Sequence, residues 1–350
     1  MNLESLGWDE SFADAFRPFE NDGLTPARVT VEHRSEYVVH TQHGELRAEL
    51  TGRLRHNEEH PAVGDWTAVS ARADEGRATI HAVLPRRSAF VRKASSAEGR
   101  QTRAQVVASN VDVAFVVCGL DANYNLRRIE RYLTLAWESG AQPVVLLTKA
   151  DLCDSVVERV FEVESIAFGV QVHAVSAPTG DGVETVRSYV PEGRTAALLG
   201  SSGVGKSTLV NALVGEELLA TRDVREDGRG RHTTTHRQLV PLPCGGLVLD
   251  TPGMRELQLW DADEGLQSAF SDVDALAAEC RFADCAHGRE PGCAVRAALA
   301  SGTLELERFE SWRKLQRELE RLARKQDGRA RSEARKERAR FARSMRKTAY

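Results

Sequence analysis

The sequence predicts a protein of three folded parts: a small β-barrel, an α/β domain with a phosphate-binding loop, and a mainly helical domain that binds a metal. Three observations support this prediction. Short alternating segments fill residues 27–84, strand-like and helical patterns alternate from Val111 onward, and three cysteines and a histidine stand within fourteen residues near the C-terminus. The length of 350 residues is sufficient for two or three domains.

Composition and charge favour a folded protein with an anionic partner. Hydrophobic residues make up 41% of the chain, which is enough for packed cores and argues against a disordered protein. The net charge of -4 is unevenly distributed, because residues 313–350 contain 15 Lys and Arg against 5 Asp and Glu, whereas the preceding residues carry -14. An acidic body followed by a basic C-terminal tail predicts a partner such as nucleic acid, in preference to a membrane.

The N-terminus, "MNLESLGWDE", is acidic and has no apolar core of a signal peptide. Apolar runs such as "VAFVVC" are too short to span a bilayer. We therefore expect a cytoplasmic monomer without a membrane partner. In a reducing compartment, clustered cysteines indicate a metal site and not disulfides.

Residues 1–105 are predicted to form a barrel with an extension before it and a connector after it. Residues 1–26 form the extension, and residues 27–85 contain five candidate strands, "ARVTVEH", "EYVVHTQ", "ELRAELT", "WTAVSAR" and "ATIHAVL". Five short strands favour an OB-fold, although an SH3-like barrel would show the same pattern. Residues 86–105 are basic and lack periodicity, which predicts a basic linker, either mobile or a solvated loop.

Residues 106–262 are predicted to form an α/β domain with six strands. The runs "VDVAFVVC", "PVVLLT", "VQVHAVS" and "TAALLG" alternate with helical patterns, which argues for a parallel sheet covered by helices. The last two strands, "QLVPL" and "GLVLD", are close enough in sequence to form a hairpin.

The segment "GSSGVGKST" matches the phosphate-binding pattern G-x-x-x-x-G-K-[ST] between an apolar strand and a helix. In such loops, backbone N–H groups surround phosphate oxygens, and the helix N-terminus adds a favourable dipole. We expect Lys206, a candidate catalytic residue, to contact the β- and γ-phosphates, and Ser207 to bind Mg²⁺. The predicted nucleotide-binding residues here are Gly200, Ser201, Ser202, Gly203, Val204, Gly205, Lys206, Ser207 and Thr208.

The segment "GLVLDTPG" is an apolar strand followed by a turn. An Asp at the end of such a strand holds Mg²⁺, which predicts this role for Asp250, and the Gly253 N–H is expected to contact the γ-phosphate. Met254 stands where Ras-like enzymes have the glutamine that orients the attacking water. Since a thioether cannot replace that glutamine, we expect slow intrinsic turnover.

The segment "TKAD" at the end of "PVVLLT" resembles the guanine-reading motif [NT]-K-x-D. The Asp151 carboxylate can accept hydrogen bonds from guanine N1–H and the 2-amino group, and adenine offers neither. Lys149 is expected to lie along the purine face. Thr148 replaces the commoner Asn, which predicts a looser loop, and "VSA" is expected to direct a backbone N–H at guanine O6. The predicted base-binding residues are Thr148, Lys149, Ala150, Asp151, Ser176 and Ala177.

The base-reading motif precedes the phosphate-binding loop, whereas in an ordinary GTPase it comes last. Ligands of such sheets bind at the carboxyl ends of the strands, whatever the order of those strands along the chain. Rejoining the original chain ends and cutting elsewhere therefore preserves the site. The sequence predicts a circularly permuted GTPase that binds GTP and GDP together with Mg²⁺.

The cysteine cluster has the spacing C-x4-C-x-H-x5-C. Three thiolates and one imidazole complete a tetrahedral shell without an open position, which is typical of a structural zinc ion. The predicted ligands of this one zinc ion are Cys280, Cys285, His287 and Cys293. We assign residues 263–312 to a zinc-binding domain and residues 313–350 to a basic C-terminal tail.

The permuted order, "GSSGVGKSTL", "GRHTTT", "DTPG" and the Cys-Cys-His-Cys spacing together resemble the RsgA (YjeQ) family of GTPases that depend on the small ribosomal subunit. The resemblance extends from about Ala27 to Trp312. It implies an OB-fold, a permuted GTPase domain and a zinc domain, a role in late maturation of the small subunit, and ribosomal RNA as a partner. Within "GRHTTT", His232 is the candidate catalytic residue, a role that the resemblance also implies, and Thr234 is a candidate Mg²⁺ ligand.

Two other functions are compatible with parts of this pattern. A P-loop kinase or ATPase would use the same lysine and serine, but it would leave Asp151 unexplained. An RNA-binding assembly factor that uses GTP only as a binding switch would need the barrel and the tail, but no hydrolysis.

Overall fold

The computed structural model describes residues 2–33, 36–93, 104–215, 237–250 and 263–324. The chain divides into two compact units, Met1–Gln258 and Leu259–Tyr350. The first unit contains the barrel and the α/β domain, and the second contains the cysteine cluster. Within the described ranges, no helix is long and apolar enough to cross a membrane.

The residues before the barrel form a helix that packs onto it. Helix α1 (Glu10–Glu20) begins after Asp9, whose carboxylate accepts hydrogen bonds from two N–H groups of the first turn. The Trp8 ring meets the Trp66 ring at a centroid distance of 4.7 Å, and the Phe12 ring lies 5.8 Å from the same indole. These aromatic contacts bury the apolar side of the extension against the barrel.

Five strands close into a barrel, as the sequence predicts. They are β1 (Thr25–Glu32), β2 (Tyr37–Thr41), β3 (Gly44–Leu50), β4 (Trp66–Arg72) and β5 (Arg77–Val83). Their order is β1-β2-β3-β5-β4, and pairing between β1 and β4 closes the ring. A short helix, α2 (Gly52–Asn57), lies between β3 and β4 along the chain.

A buried arginine joins the extension, the barrel and the α/β domain. The Arg28 guanidinium donates to the carbonyls of Leu6, Gly64 (3.3 Å) and Asn110 (3.1 Å), and to the Thr195 hydroxyl (2.9 Å). Burial lowers the pKa of Arg28 to about 10, so the side chain remains charged at neutral pH. Its donors satisfy groups from several segments at once, which fixes their relative positions.

The connector after the barrel contains regular structure. Strand β6 (Ala89–Lys93) pairs antiparallel with β7 (Ala104–Ser109), and Phe90 is buried. The prediction of a linker without periodicity is therefore wrong for residues 89–93. The run "AFVRK" is too short to show alternation, and its partner strand stands beyond a polar stretch whose residues, 94–103, lie outside the described ones.

Within the described residues, the α/β domain has the predicted six strands, in the order β10-β9-β8-β11-β13-β12. All neighbours are parallel except β12 and β13, which form the predicted hairpin. The strands are β8 (Val113–Gly119), β9 (Gln142–Thr148), β10 (Gln171–Val175), β11 (Thr195–Leu199), β12 (Arg237–Pro241) and β13 (Leu247–Asp250). Its helices are α3 (Leu126–Ser139), α4 (Val156–Glu164), α5 (Val183–Ser188) and α6 (Lys206–Val214).

The described part of the second unit, residues 263–324, is helical, as expected. Its helices are α7 (Asp263–Ala269), α8 (Ser271–Ala278), α9 (Ala294–Ser301) and α10, residues 306–324. Arg308 on α10 is buried and forms a two-pronged ion pair with Asp272 on α8, with both N···O distances 2.6 Å.

The predicted start of the C-terminal tail at residue 313 falls inside α10. Leu315 and Leu319 are buried, and with Phe309 and Trp312 they form one apolar stripe at helical spacing. The boundary was misplaced because the many charged residues between them dominate the composition. The rest of the predicted tail, residues 325–350, lies outside the described residues.

Candidate functional site

The carboxyl ends of the parallel strands bring together motifs that are far apart in sequence. Thr148 at the end of β9 stands opposite Gly119 on β8 and Val175 on β10. The end of β11 lies beside β8 on the same edge, with Leu199 opposite Val116. The loops that contain "TKAD", "VSA" and "GSSGVGKS" therefore meet at one edge of the sheet, the position at which such sheets bind ligands.

The loop after β11 has the backbone of a phosphate-binding turn. A Cβ on Gly200 would lie 2.5 Å from the Val117 carbonyl oxygen, and Gly205 has φ +92°, so both positions require glycine. The Lys206 ammonium donates to the carbonyls of Gly200 (2.7 Å) and Ser201 (2.5 Å). The lysine thus lies along the inside of its own loop, in the place from which it could reach a phosphate.

The remaining predicted residues of this loop are in the same turn or directly after it. Gly203 has φ +78° and Val204 is buried below the loop. Helix α6 begins at Lys206, so its first turn presents N–H groups toward the loop. Ser202 lies in the turn before Gly203, and Ser207 and Thr208 lie in the first turn of α6.

Thr148 connects the base-reading loop to the phosphate-binding loop. Its buried hydroxyl lies 2.5 Å from the Val204 carbonyl oxygen and 3.3 Å from that of Cys118. The expectation that threonine loosens this loop is therefore wrong, because the hydroxyl donates a short hydrogen bond that ties the two loops together.

Lys149 makes a second connection between the same loops. Its backbone is left-handed, with φ +61°, and its ammonium donates to the Gly203 carbonyl (2.7 Å) and to the Asp121 carboxylate (2.6 Å). Burial raises the pKa of Asp121, but the hydrogen bond and charge of Lys149, together with hydrogen bonds from Asn123, outweigh it and hold that pKa below its usual value. The sequence prediction missed Asp121, although an acid two residues beyond a buried strand was the available signal.

Asp151 is held by the third loop of the site. Its Oδ1 accepts a hydrogen bond from the hydroxyl of buried Ser176 at 2.7 Å, while the aspartate itself is exposed. The Ser176 N–H donates to the Asp181 carbonyl, so the N–H expected to reach guanine O6 is that of Ala177. Ala150 stands between the lysine and the aspartate in a short 3-10 turn.

Arg128 is another residue that the sequence prediction missed. It lies in the first turn of α3, and its Nη1 donates to the Ser201 hydroxyl of the phosphate-binding loop at 2.9 Å. This contact supports the loop from the side of β8.

The predicted Mg²⁺ ligands are described only in part. Ser207 lies in the first turn of α6, and the backbone of Asp250 ends β13. Thr234, the candidate catalytic His232, Gly253 and Met254 lie outside the described residues.

In the second unit, the four predicted zinc ligands converge. Their ligand atoms all lie within 4.8 Å of one another. Sγ of Cys280 is 3.8 Å from Sγ of Cys293, and Nδ1 of His287 is 3.6 and 3.5 Å from these two atoms. A tetrahedral zinc ion with Zn–S of about 2.3 Å and Zn–N of about 2.0 Å requires separations of about 3.8 and 3.5 Å. The donor set and its spacing therefore fit zinc.

The surroundings of the cluster orient its ligands. The Arg296 N–H in the first turn of α9 lies 3.4 Å from the Cys293 sulfur. The His287 ring packs on the rings of Trp312 and Phe309 on α10, at centroid distances of 5.7 and 6.3 Å. Folding of α10 and ligation by the histidine are consequently coupled.

Comparison with known proteins is consistent across sequence and structure. Residues 83–260 match the family model described as RsgA GTPase. A protein of Opitutus terrae named small ribosomal subunit biogenesis GTPase RsgA is 51% identical over 341 residues, which cover 93% of this chain and 92% of its own. A protein of the same name from Streptomyces coelicolor is 48% identical over 340 residues, covering 96% and 91%.

Two solved structures share the fold. YjeQ from Thermotoga maritima has a TM-score of 0.65 and 28% identity, over 85% of this chain and 98% of that one. YloQ, described as a circularly permuted GTPase, has a TM-score of 0.62 over 85% of this chain and 95% of its own. Its sequence is 23% identical, so the similarity concerns the fold alone. This likeness confirms, for the fold, the permuted strand order predicted from the sequence.

Proposed function

Because the chain belongs to the RsgA GTPase family, we propose that it binds the small ribosomal subunit, assists its late maturation, and hydrolyses GTP to GDP and phosphate when the subunit stimulates it. The observation that supports this most directly is the joining of two loops. Thr148 and Lys149 of the base-reading loop contact the carbonyls of Val204 and Gly203 in the phosphate-binding loop. A site in which the loop that recognises the base is joined to the loop that binds the phosphates is suited to a guanine nucleotide.

The proposed domain layout follows the predicted boundaries except at the end of the zinc-binding domain. We assign residues 27–85 to an OB-fold, because the closed five-stranded order with a helix between the third and fourth strands suits that barrel. We assign residues 106–262 to the permuted GTPase domain and, because α10 continues past the predicted boundary at residue 312, residues 263–324 to the zinc-binding domain. Residues 1–26 are the extension and residues 86–105 the basic connector.

In the proposed mechanism, the phosphate-binding loop holds the nucleotide and Lys206 stabilises the charge on its β- and γ-phosphates. Ser207, Thr234 and Asp250 would hold Mg²⁺, which when bound neutralises phosphate charge. His232 would orient the attacking water, because Met254 cannot. Catalysis then consists mainly of positioning and electrostatic stabilisation.

Zinc has a structural role in this proposal. The three thiolates and the His287 imidazole would occupy all four positions of a tetrahedral ion, which leaves none for a substrate. The ion would hold the connection between α8 and α9 in the shape that the partner meets.

The proposed partner is the small subunit with its ribosomal RNA, and the proposed place of action is the cytoplasm, where ribosomes are assembled. The excess of basic residues near the C-terminus supports an RNA contact. We expect a monomer.

The experiment that tests this function compares GTP turnover by the purified protein alone, with small subunits, and with free large subunits. We expect strong stimulation by small subunits only, tighter subunit binding with a GTP analogue than with GDP, and no competition by ATP. GTP binding without turnover would favour a factor that uses GTP only as a switch. Turnover indifferent to small subunits, with equal affinity in the two nucleotide states, would falsify the ribosomal assignment.

A further inference from the structure

A ladder of three strands connects the barrel with the nucleotide edge of the α/β sheet. Strand β12 lies between β13 and β1, so the barrel and the α/β domain share one continuous sheet. Gln238 on β12 stands opposite Asp250, the last residue of β13, and opposite Val31 on the barrel. Gln238 is therefore the single residue between Val31 of β1 and the end of β13, so a displacement of β1 is transmitted to β13 through it.

The connection to the barrel is narrow. The first half of β1, Thr25 to Arg28, pairs with β4, and among the described residues only Val31 and Glu32 pair with β12. An irregularity between Val29 and Val31 separates these two pairings, in the way that a β-bulge redirects a strand. Because β1 and β12 pair at two positions within the described residues, the side chains at these positions have a large share in holding the two strands together.

An ion pair stabilises this junction. Nη1 of Arg237 lies 2.6 Å from Oε2 of Glu32, and the two residues stand directly opposite each other in the ladder. Their side chains are only 13% and 20% exposed, so solvent screens this pair less than a surface pair. Glu32 also stands opposite Tyr37 on β2, where burial first and the Glu32 charge second raise the pKa of Tyr37 to about 12.

We propose that Glu32 and Arg237 are positioning residues for GTP hydrolysis, which set the place of the β13 carboxyl end and hence of Asp250. The inference rests on the proposed function. Arg237 is the first residue of β12 and Asp250 the last of β13, so both lie at the same end of the hairpin. The pair fixes that end against the barrel, and a partner that moves the barrel acts through it on the end of β13.

The effect on the two nucleotides differs. GDP would be held by the phosphate-binding and base-reading loops, which follow β11 and β9 and not the two strands of this junction. In the proposed function, GTP additionally needs Gly253, three residues after Asp250, because its N–H is the expected contact of the γ-phosphate beside Lys206. Loss of the ion pair should therefore weaken GTP binding and slow turnover while it leaves GDP affinity unchanged.

The test uses E32Q and R237Q, which remove one charge each, and the exchanged pair E32R/R237E. The control is E49Q, which breaks the exposed barrel pair between Glu49 and Arg55. Affinities for GDP and for a non-hydrolysable GTP analogue are measured on the full chain. Stimulated kcat, KM for small subunits, and amide exchange of β12 and β13 are measured on the same proteins.

We expect the analogue affinity and the stimulated kcat of each single variant to fall about tenfold, as a small displacement of a positioned group does. In the single variants, GDP affinity and KM should stay within about twofold, and amides of β12 should exchange faster. The exchanged pair should recover most of the loss, and E49Q should resemble wild type. Equal losses for GDP and the analogue, no loss, or no recovery in the exchanged pair would overturn the proposal. If E32Q fails to bind GDP, the milder E32D is read in the same way. A wild-type protein without GTP turnover would instead sink the proposed function.

Discussion

At the scale of single residues, Asp151 carries the prediction of guanine specificity. Its Oδ1 is held by the Ser176 hydroxyl, which fixes the carboxylate at the edge of the site. In Asp151→Asn, one acceptor of guanine becomes a donor, and the lost charge-assisted hydrogen bonds should cost about 2–3 kcal/mol of GTP binding. Xanthine nucleotide should bind better than GTP, since it restores the match of donors and acceptors.

Calorimetric titration with both nucleotides measures this preference. Asp154→Asn is the matched control, because Asp154 is exposed and three residues further along the chain. Unchanged GTP affinity of the Asp151 variant would remove the base-reading assignment.

His232 carries the prediction about catalysis. Because Met254 cannot position water, His232→Ala should retain GTP affinity and lose about 100-fold or more of the subunit-stimulated turnover. His236, in the same segment, supplies the control variant His236→Ala, which should keep most of its turnover. Single-turnover kinetics with saturating small subunits measure both, and equal effects of the two substitutions would assign the loss to the segment and not to His232.

Some residues of the site could be predicted from the sequence, and others could not. Motif spacing identified Lys206, Asp151 and the cysteine cluster, because backbone geometry fixes the separations within each motif. Asp121 and Arg128 were missed, because their partners Lys149 and Ser201 are 28 and 73 residues away along the chain. Such pairs become visible only when the strand order of the sheet is known.

At the scale of elements, zinc should hold the second unit together. Cys285→Ser removes one thiolate from a closed shell, so we expect the zinc content to fall from about one ion per chain to nearly none. Limited proteolysis should then cut within residues 263–324, since α10 packs its aromatic residues on the His287 ring. Cys153→Ser, outside the cluster, is the control, and full zinc content in both variants would contradict the assigned ligand set.

Helix α1 should contribute to the stability of the first unit. Phe12 is buried against Trp66, and the Arg87 guanidinium lies 4.0 Å from the centre of its ring. Phe12→Ala should lower the free energy of unfolding by about 3 kcal/mol, through lost burial and the cavity left behind. Arg17→Ala on the exposed side of α1 should change it by less than about 0.5 kcal/mol.

Urea unfolding of the two variants, followed by tryptophan fluorescence, provides the comparison. Equal stability of both variants would mean that the extension is only loosely attached. The length of α1 and its packing were not predicted, because its apolar positions precede the region that carries the motifs and their partner, Trp66, is distant along the chain.

At the scale of the whole molecule, strand periodicity and motif order predicted the barrel, the six-stranded sheet and the permutation. They could not predict that β1 and β12 join the two into one sheet, because an edge pairing of two residues leaves no pattern in either strand. Arg28 likewise reads as a polar residue of a barrel strand, yet it is buried where three segments meet.

The structure determines where the basic C-terminal region can be truncated to test its contact with RNA. Removal of residues 313–350 would delete buried Leu315 and Leu319 and damage α10, so the loss of RNA contacts could not be separated from unfolding. A truncation after residue 324 avoids this, and it still removes 10 Lys and Arg against 3 Asp and Glu.

If these residues contact ribosomal RNA, each lost phosphate contact should reduce the slope of log affinity against log salt concentration by about 0.7 to 0.9. We therefore expect the truncated protein to bind small subunits more weakly at low salt, with a shallower salt dependence, while saturating subunits still stimulate GTP turnover. Sedimentation binding at several salt concentrations measures the slope, and turnover measures the retained stimulation. A slope identical to that of the full chain would place the RNA contacts elsewhere, because counterion release depends on the number of phosphates neutralised and not on the fold that neutralises them.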